Sequence, residues 1–222
     1  MSNWEIHDEK DWRILSEDGK AVLTRWCIVH QTNDKPTRTM VAIGINPSGK
    51  TLLSSDDDKP DNVSMTAKRL RSFAEKANCD RIILFNIFPD ATESVSALAK
   101  SIKDLECHEG KGHKTQFDSN CEVNICKIND ILNQLSTEGR IERVLLCFGR
   151  GIRKHVKLEE FLLKILTETS LSELQWYYLD LTSDKIPRHP NSCKKDSDFT
   201  LCDYRTDDNG KLIFEKKQKQ GY

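Results

Sequence analysis

A chain of 222 residues, 37% hydrophobic and 31% charged, carries enough apolar material for one sizeable core and reads as a single soluble domain over 1–222. Its 34 basic and 35 acidic side chains leave a formal net charge of -1, which excludes bulk attraction to a polyanion and requires a local basic patch for any such partner. No apolar run approaches the roughly 20 residues that cross a bilayer. The start, MSNWEIHDEKDW, has neither a basic leader nor an apolar stretch, so a cytoplasmic location with the eight cysteines reduced is expected.

In chain order, AVLTRWCIVH (21–30) and TMVAIGI (39–45) are strand-like, and the QTNDKPTR between them carries turn chemistry, which predicts an N-terminal β-hairpin. Met65, Leu70, Phe73, Ala74 and Ala77 recur at helical spacing and predict a helix over 64–78. RIILFNIF (81–88) follows as a strand. SALAKSIKDLECHEGKGHKTQFD (96–118) is polar and irregular after its first turns, and reads as a long surface excursion. A second helical stripe, Val123, Ile125, Ile128, Ile131, Leu132 and Leu135, marks a helix over 120–136. Then come a strand (143–149), a helix (158–169) and a strand (174–181).

This alternation from residue 39 onward predicts an α/β fold, a parallel-sheet α/β/α sandwich with right-handed crossovers. Its core spans about 20–192, with a C-terminal extension over 193–222. In open α/β sheets ligands bind beyond the carboxyl ends of the strands. The candidate segments are therefore GINPSGK, NIFPD, CFGRG and LTSDKIPRHPNS.

The first of these also fits the phosphate-loop pattern, with Gly44, Gly49, Lys50 and Thr51 in the required places. Such a loop works through successive backbone N–H groups aimed at phosphate, and Pro47 removes one of them. Carboxylates in LLSSDDDKPDN, which follows, would repel bound phosphates. Asp180 could be sought as a Mg²⁺-holding partner, so a nucleoside triphosphatase stays as an alternative.

VAIGINPSG resembles the first motif of the uracil-DNA glycosylase superfamily, whose mismatch-specific branch has Gly-Ile-Asn-Pro at the end of its first core strand. IILFNIFP (82–89) is similar to the superfamily strand that ends in a base-reading asparagine, and PRHPNS (187–192) to its late His-Pro motif. A closer similarity is to small uncharacterised bacterial and viral proteins. These have a hairpin before an Asn-Pro-Ser strand end, an acidic D-x-P segment, an N-x-F strand end, a glycine after a fourth strand, and a late P-R-H-P. The matching positions are Asn46-Pro47-Ser48, Asp58-Lys59-Pro60-Asp61-Asn62, Asn86-Ile87-Phe88, Gly149 and Pro187-Arg188-His189-Pro190.

The resemblance implies a uracil-DNA glycosylase-like fold and a DNA N-glycosylase that hydrolyses the bond between a flipped-out base and its sugar. In that reading Asn46 holds the attacking water and His189 donates to, or electrostatically stabilises, the departing base. Asn86, with both a donor and an acceptor, reads the base edge beside Pro47 and Phe88. Ser48, Lys50, Arg188 and Ser192 hold the DNA backbone. No cofactor is implied, and a monomer is expected, with a role in repair or antiviral defence.

Two departures bear on the chemistry. The most active uracil branch has aspartate at the position of Asn46, and an amide cannot take a proton from water. Asp56, Asp57 or Asp58 could supply the carboxylate. Asn191 stands where an apolar wedge usually follows His-Pro. A non-catalytic nucleic-acid or nucleotide-binding module is the further alternative.

Cys107, His108, His113, Cys121 and Cys126 are zinc-capable types but lack paired C-x₂-C knuckles, so no metal is assigned. Cys27, Cys79, Cys147 and Cys202 read as buried or incidental thiols. GRGIRKHVK (149–157) and GKLIFEKKQKQGY (210–222) supply local positive charge, and the first, beginning at a predicted strand end, could face DNA phosphates.

Overall fold

A computed structural model describes residues 3–7, 14–15, 21–22, 27–32, 35–45, 65–88, 95–108, 116–168 and 174–218. The strands are β1 (Asn3–His7), β2 (Ile14–Leu15), β3 (Ala21–Val22), β4 (Cys27–Gln31), β5 (Thr39–Gly44), β6 (Arg81–Asn86), β7 (Ile141–Leu146), β8 (Trp176–Tyr178), β9 (Thr200–Thr206) and β10 (Leu212–Lys216). The helices are α1 (Met65–Lys76), α2 (Val95–His108), α3 (Gln116–Thr137) and α4 (Val156–Thr167). Short 3₁₀ turns cover Gly149–Lys154 and Pro190–Ser192.

An eight-stranded mixed sheet runs in the order β1-β4-β6-β5-β7-β8-β9-β10. Its four central strands, β6, β5, β7 and β8, are parallel. The flanking pairs are antiparallel: β4 on β6, β1 on β4, β8 on β9 and β9 on β10. All six residues of β5 are buried, as befits a strand covered on both faces and paired on both edges.

Period-2 alternation sends the two faces of the central strands to different cores. Met40 and Ala42, with Ile82, Leu84 and Leu145, meet Leu70, Phe73 and Ala74 of α1. Val41 and Ile43, with Ile83, Phe85 and Val144, meet Leu98 and Ile102 of α2, Ile128 and Leu132 of α3, and Leu158 and Leu162 of α4. The helices thus lie in two layers about the sheet, as the α/β alternation predicted. Helix α1 stops where Asn78 takes φ +57°, with Cys79 N–H donating to the Ala74 carbonyl (2.9 Å). That left-handed cap satisfies carbonyls left over at the helix end.

Three expectations are corrected. The segments 21–30 and 39–45 do not form a hairpin: β4 pairs with β1 and β6, and β6 stands between it and β5. Both edges of β5 are taken by parallel neighbours, so no antiparallel partner fits there. The polar stretch 96–118 is helical as far as His108, because Leu98, Ala99 and Ile102 make a narrow buried stripe while Lys100 and Lys103 face outward. The C-terminal extension is woven into the sheet: β9 pairs with β8, and Leu212 and Phe214 of β10 are buried in the main core, Phe214 tilted on Phe148 at 5.6 Å.

Among the described residues, no helix is long and apolar enough to cross a membrane. Cys79, Cys121, Cys126, Cys147, Cys193 and Cys202 are reduced, in no disulfide.

Candidate functional site

Chain order along the parallel strands reverses between β5 and β7, since β6 lies on one side of β5 and β7 on the other. In open α/β sheets such a reversal, at the carboxyl ends of the strands, is where a ligand crevice is expected. The strand ends stay tied past the last ladder residues. Ile87 N–H donates to the Gly44 carbonyl (3.1 Å), Phe88 N–H to Ile45 (2.8 Å) and Cys147 N–H to Ile43 (3.0 Å). Gly44, Asn86 and Cys147 are therefore brought side by side.

Asn86 ends β6 with only 3% of its surface exposed. Its amide sits over Gly44, where a β-carbon would stand 3.1 Å from Asn86 Oδ1, so glycine leaves the room the amide occupies. The Asn86 Nδ2 is buried and meets no hydrogen-bond partner. A buried amide donor without an acceptor costs about 1–3 kcal/mol, which makes Asn86 Nδ2 a candidate to meet a ligand atom. The backbone beside it is fixed from α3: Asn124 Nδ2 donates to the carbonyls of Asn86 (2.6 Å) and Ile87 (2.9 Å). Two carbonyls can only accept, so the amide nitrogen of Asn124 has to face them.

A second wall comes from the segment after β8. The chain turns at Thr182–Ile186, with Lys185 at φ +60°, and doubles back so that Gly149 N–H donates to the Pro187 carbonyl (2.9 Å) and Arg188 N–H to Asp180 (2.9 Å). His189 then lies against Gly149, itself at φ +69°. Its Nδ1 accepts from the backbone N–H of Asn191 (3.3 Å), and its Nε2 lies 3.5 Å from Thr66 Oγ1 on the first turn of α1. Burial, which disfavours the cation, holds the imidazole below its ordinary pKa. A neutral ring that accepts at Nδ1 carries its proton on Nε2.

Asn86, over Gly44 at the end of β6, and His189, against Gly149 just past β7, both lie at the carboxyl-end side of the parallel strands. Asn46, Pro47, Ser48 and Lys50, with Asp56, Asp57 and Asp58, lie outside the described residues, and so does most of the phosphate-loop pattern. Phe88 is fully buried, its ring edge-on to Phe161 at 5.9 Å, which makes it core support beneath the strand end and not a stacking surface. Arg188 is committed to Asp180 and the Leu181 carbonyl, both at 3.1 Å. Asp180 thereby serves that ion pair. Ser192 is exposed at the end of the 3₁₀ turn, its N–H on the His189 carbonyl (2.8 Å).

The basic run after β7 is largely engaged within the fold. Arg150 pairs with Asp184 (2.8 Å), Arg153 with Glu159 and the Leu212 carbonyl, and Lys157 with Asp118 (2.8 Å). His155 caps α4. Of the zinc-capable group, Cys121 is buried and Cys126 exposed on α3, on different faces of the helix. His113 and the side chains of Cys107 and His108 lie outside the description. Among the described residues, no three His, Cys, Asp or Glu side chains gather to hold a metal.

Sequence reasoning passed over Thr66 and Asn124. Thr66 sits in a helix first turn, where a hydroxyl is commonplace. Asn124 was the legible one, as a polar residue set among the apolar positions of α3.

Over residues 22–191 the chain matches the family described as Protein of unknown function (DUF1643), and it belongs to that family. No curated protein and no solved structure matches the chain.

Proposed function

We propose that this member of the DUF1643 family is a DNA N-glycosylase of uracil-DNA glycosylase-like architecture. It takes a damaged, mispaired or modified base, swung out of the duplex, into the crevice beyond β5, β6 and β7. The observation that carries the reading is the buried, unpartnered Nδ2 of Asn86 at the strand-order reversal, and the His189 ring packed against Gly149 past the end of β7 supports it. An amide at that depth suits the edge of a planar heterocycle, which offers donors and acceptors in one plane.

N-glycosidic cleavage leaves negative charge on the departing base and positive charge on the sugar. A ring N–H aimed at the base stabilises the first without a proton having to leave the imidazole. Asn46, two residues beyond Gly44, is the residue proposed to position the water. With an amide there, water is oriented and not deprotonated, so turnover is slow.

The test is incubation with oligonucleotides bearing uracil, mispaired thymine or bulky modified cytosines, followed by alkali cleavage at abasic sites. Cleavage lost in Asn86→Ala, His189→Ala and Asn46→Ala supports the reading. Binding without abasic sites on any substrate replaces it with a non-catalytic nucleic-acid or nucleotide-binding module. ATP turnover abolished by Lys50→Ala replaces it with a phosphate-loop hydrolase.

A further inference from the structure

His189 is held by more than its own turn. Besides the Asn191 N–H on Nδ1 (3.3 Å), the Asn191 side chain reaches α1, where its Nδ2 donates to Thr66 Oγ1 (3.4 Å). The same oxygen faces His189 Nε2 (3.5 Å). His189, Asn191 and Thr66 therefore close a three-membered hydrogen-bonded ring between the 3₁₀ turn Pro190–Ser192 and the first turn of α1. Each link has one allowed direction. The backbone N–H of Asn191 can only donate, so Nδ1 is the acceptor and Nε2 carries the proton. Both lone pairs of the Thr66 hydroxyl then receive donors, from the ring and from the amide.

We infer that Thr66 and Asn191 are positioning residues for His189: they clasp the turn to α1 and fix the plane and tautomer of the imidazole that faces the crevice. Asn191 thus has a use of its own at the place where related motifs carry an apolar side chain. The clasp is matched to a donor role. At 3.5 Å the Nε2 contact is at the long limit of a hydrogen bond, so a stronger acceptor can take the N–H while the Nδ1 restraint keeps the ring in place. A ring free to rotate would divide its time between tautomers and orientations, and only part of the population would meet the departing base.

This inference rests on the glycosylase reading for its kinetic consequence and on geometry alone for its spectroscopic one. Thr66→Val keeps the shape of the side chain and removes the hydroxyl; Thr66→Ser keeps the hydroxyl. On a cleaved substrate Thr66→Val is expected to lower kcat about 10- to 100-fold, the scale of a misplaced catalytic group. KM is expected to change by less than about twofold, because an interaction made in the transition state is what is lost. Thr66→Ser is expected to restore kcat, and Asn191→Ala to fall between.

In ¹⁵N NMR of the imidazole side chains, the wild type is expected to show His189 as the Nε2–H tautomer set by the Asn191 N–H, and Thr66→Val to keep that tautomer with a shifted and broadened Nε2–H resonance. Wild-type kcat together with an unchanged ring spectrum in Thr66→Val overturns the clasp. If no substrate is cleaved at all, the glycosylase reading falls and the ring spectrum decides the clasp by itself: a shifted and broadened Nε2–H resonance in Thr66→Val upholds it, an unchanged one overturns it.

Discussion

Gly149 and His189 meet backbone to backbone: a β-carbon built on Gly149 would stand 3.1 Å from His189 Cβ and 3.3 Å from His189 N. Gly149 also holds φ +69°, which other residues adopt only with strain. The glycine after β7 is thus required twice, once for the turn into Gly149–Lys154 and once for the close approach of the His189 wall. Gly149→Ala is expected to lower stability by about 1–2 kcal/mol from the left-handed backbone alone. It also pushes His189 outward, so activity should fall further than the loss of folded protein explains. Denaturant titration set beside activity per folded molecule separates the two effects.

Asn124 gives a second prediction, carried by its two bonds to the Asn86 and Ile87 carbonyls. Asn124→Ala leaves both carbonyls without that donor in a buried place, at a cost of about 1–3 kcal/mol. Asn124→Asp is nearly isosteric but sets a carboxylate against two carbonyl oxygens, so at neutral pH it should be the more damaging change. Acid should reverse the order, because a protonated carboxyl can donate one of the two bonds. Unfolding curves at pH 7 and pH 4 check the inversion, and the same rank at both values would refute it.

Much of the central layer was legible because its signals are local. The fully apolar run of β5 and the stripe of Leu70, Phe73 and Ala74 each mark an element without help from elsewhere. What was missed depends on pairing at a distance. Nothing near Cys27–Gln31 says that β6, not β5, will take its edge. The hairpin β9–β10 closes the sheet only because β8 leaves an edge open to it. At the site, Asn86 and His189 stood out only through their motif resemblance, in the segments that end β6 and follow β8. Arg150, Arg153 and Lys157 were misread as available charge because their partners, Asp184, Glu159 and Asp118, are 34, 6 and 39 residues away.

At the opposite end of the sheet, Asp80 joins the start of β6 to the residues that lead into β5. Its carboxylate accepts from the Thr37 N–H (3.0 Å), the Thr37 hydroxyl (3.2 Å) and the Arg38 N–H (2.9 Å). Partial burial by itself raises its pKa, but these bonds outweigh it and hold the carboxyl below the ordinary value. A depressed carboxylate pKa adds stability that is complete above the ordinary carboxylate range and is lost as pH falls through the folded-state value. Asp80→Asn should therefore be less stable than wild type at pH 7, and the gap should close in acid. A gap that persists at pH 2 would show that the amide fails for steric reasons.

His189 titrates with the opposite consequence for charge. Its pKa is lowered by burial from the ordinary 6.5, so above that value the ring is neutral in both the folded and the unfolded chain. Below 6.5 the unfolded chain binds the proton first, and stability falls as pH drops toward the folded-state pKa. His189→Gln should remove that part of the acid sensitivity. For catalysis the neutral ring with its proton on Nε2 is the form proposed to stabilise the departing base. The His189 contribution to kcat/KM should hence stay level as pH rises from about 7 to 9, a range in which an unperturbed imidazole is already neutral. The quantity to measure is the ratio of wild-type to His189→Gln kcat/KM across that range. A ratio that falls tenfold per pH unit above neutrality would mean that the imidazolium of the free enzyme is the working form.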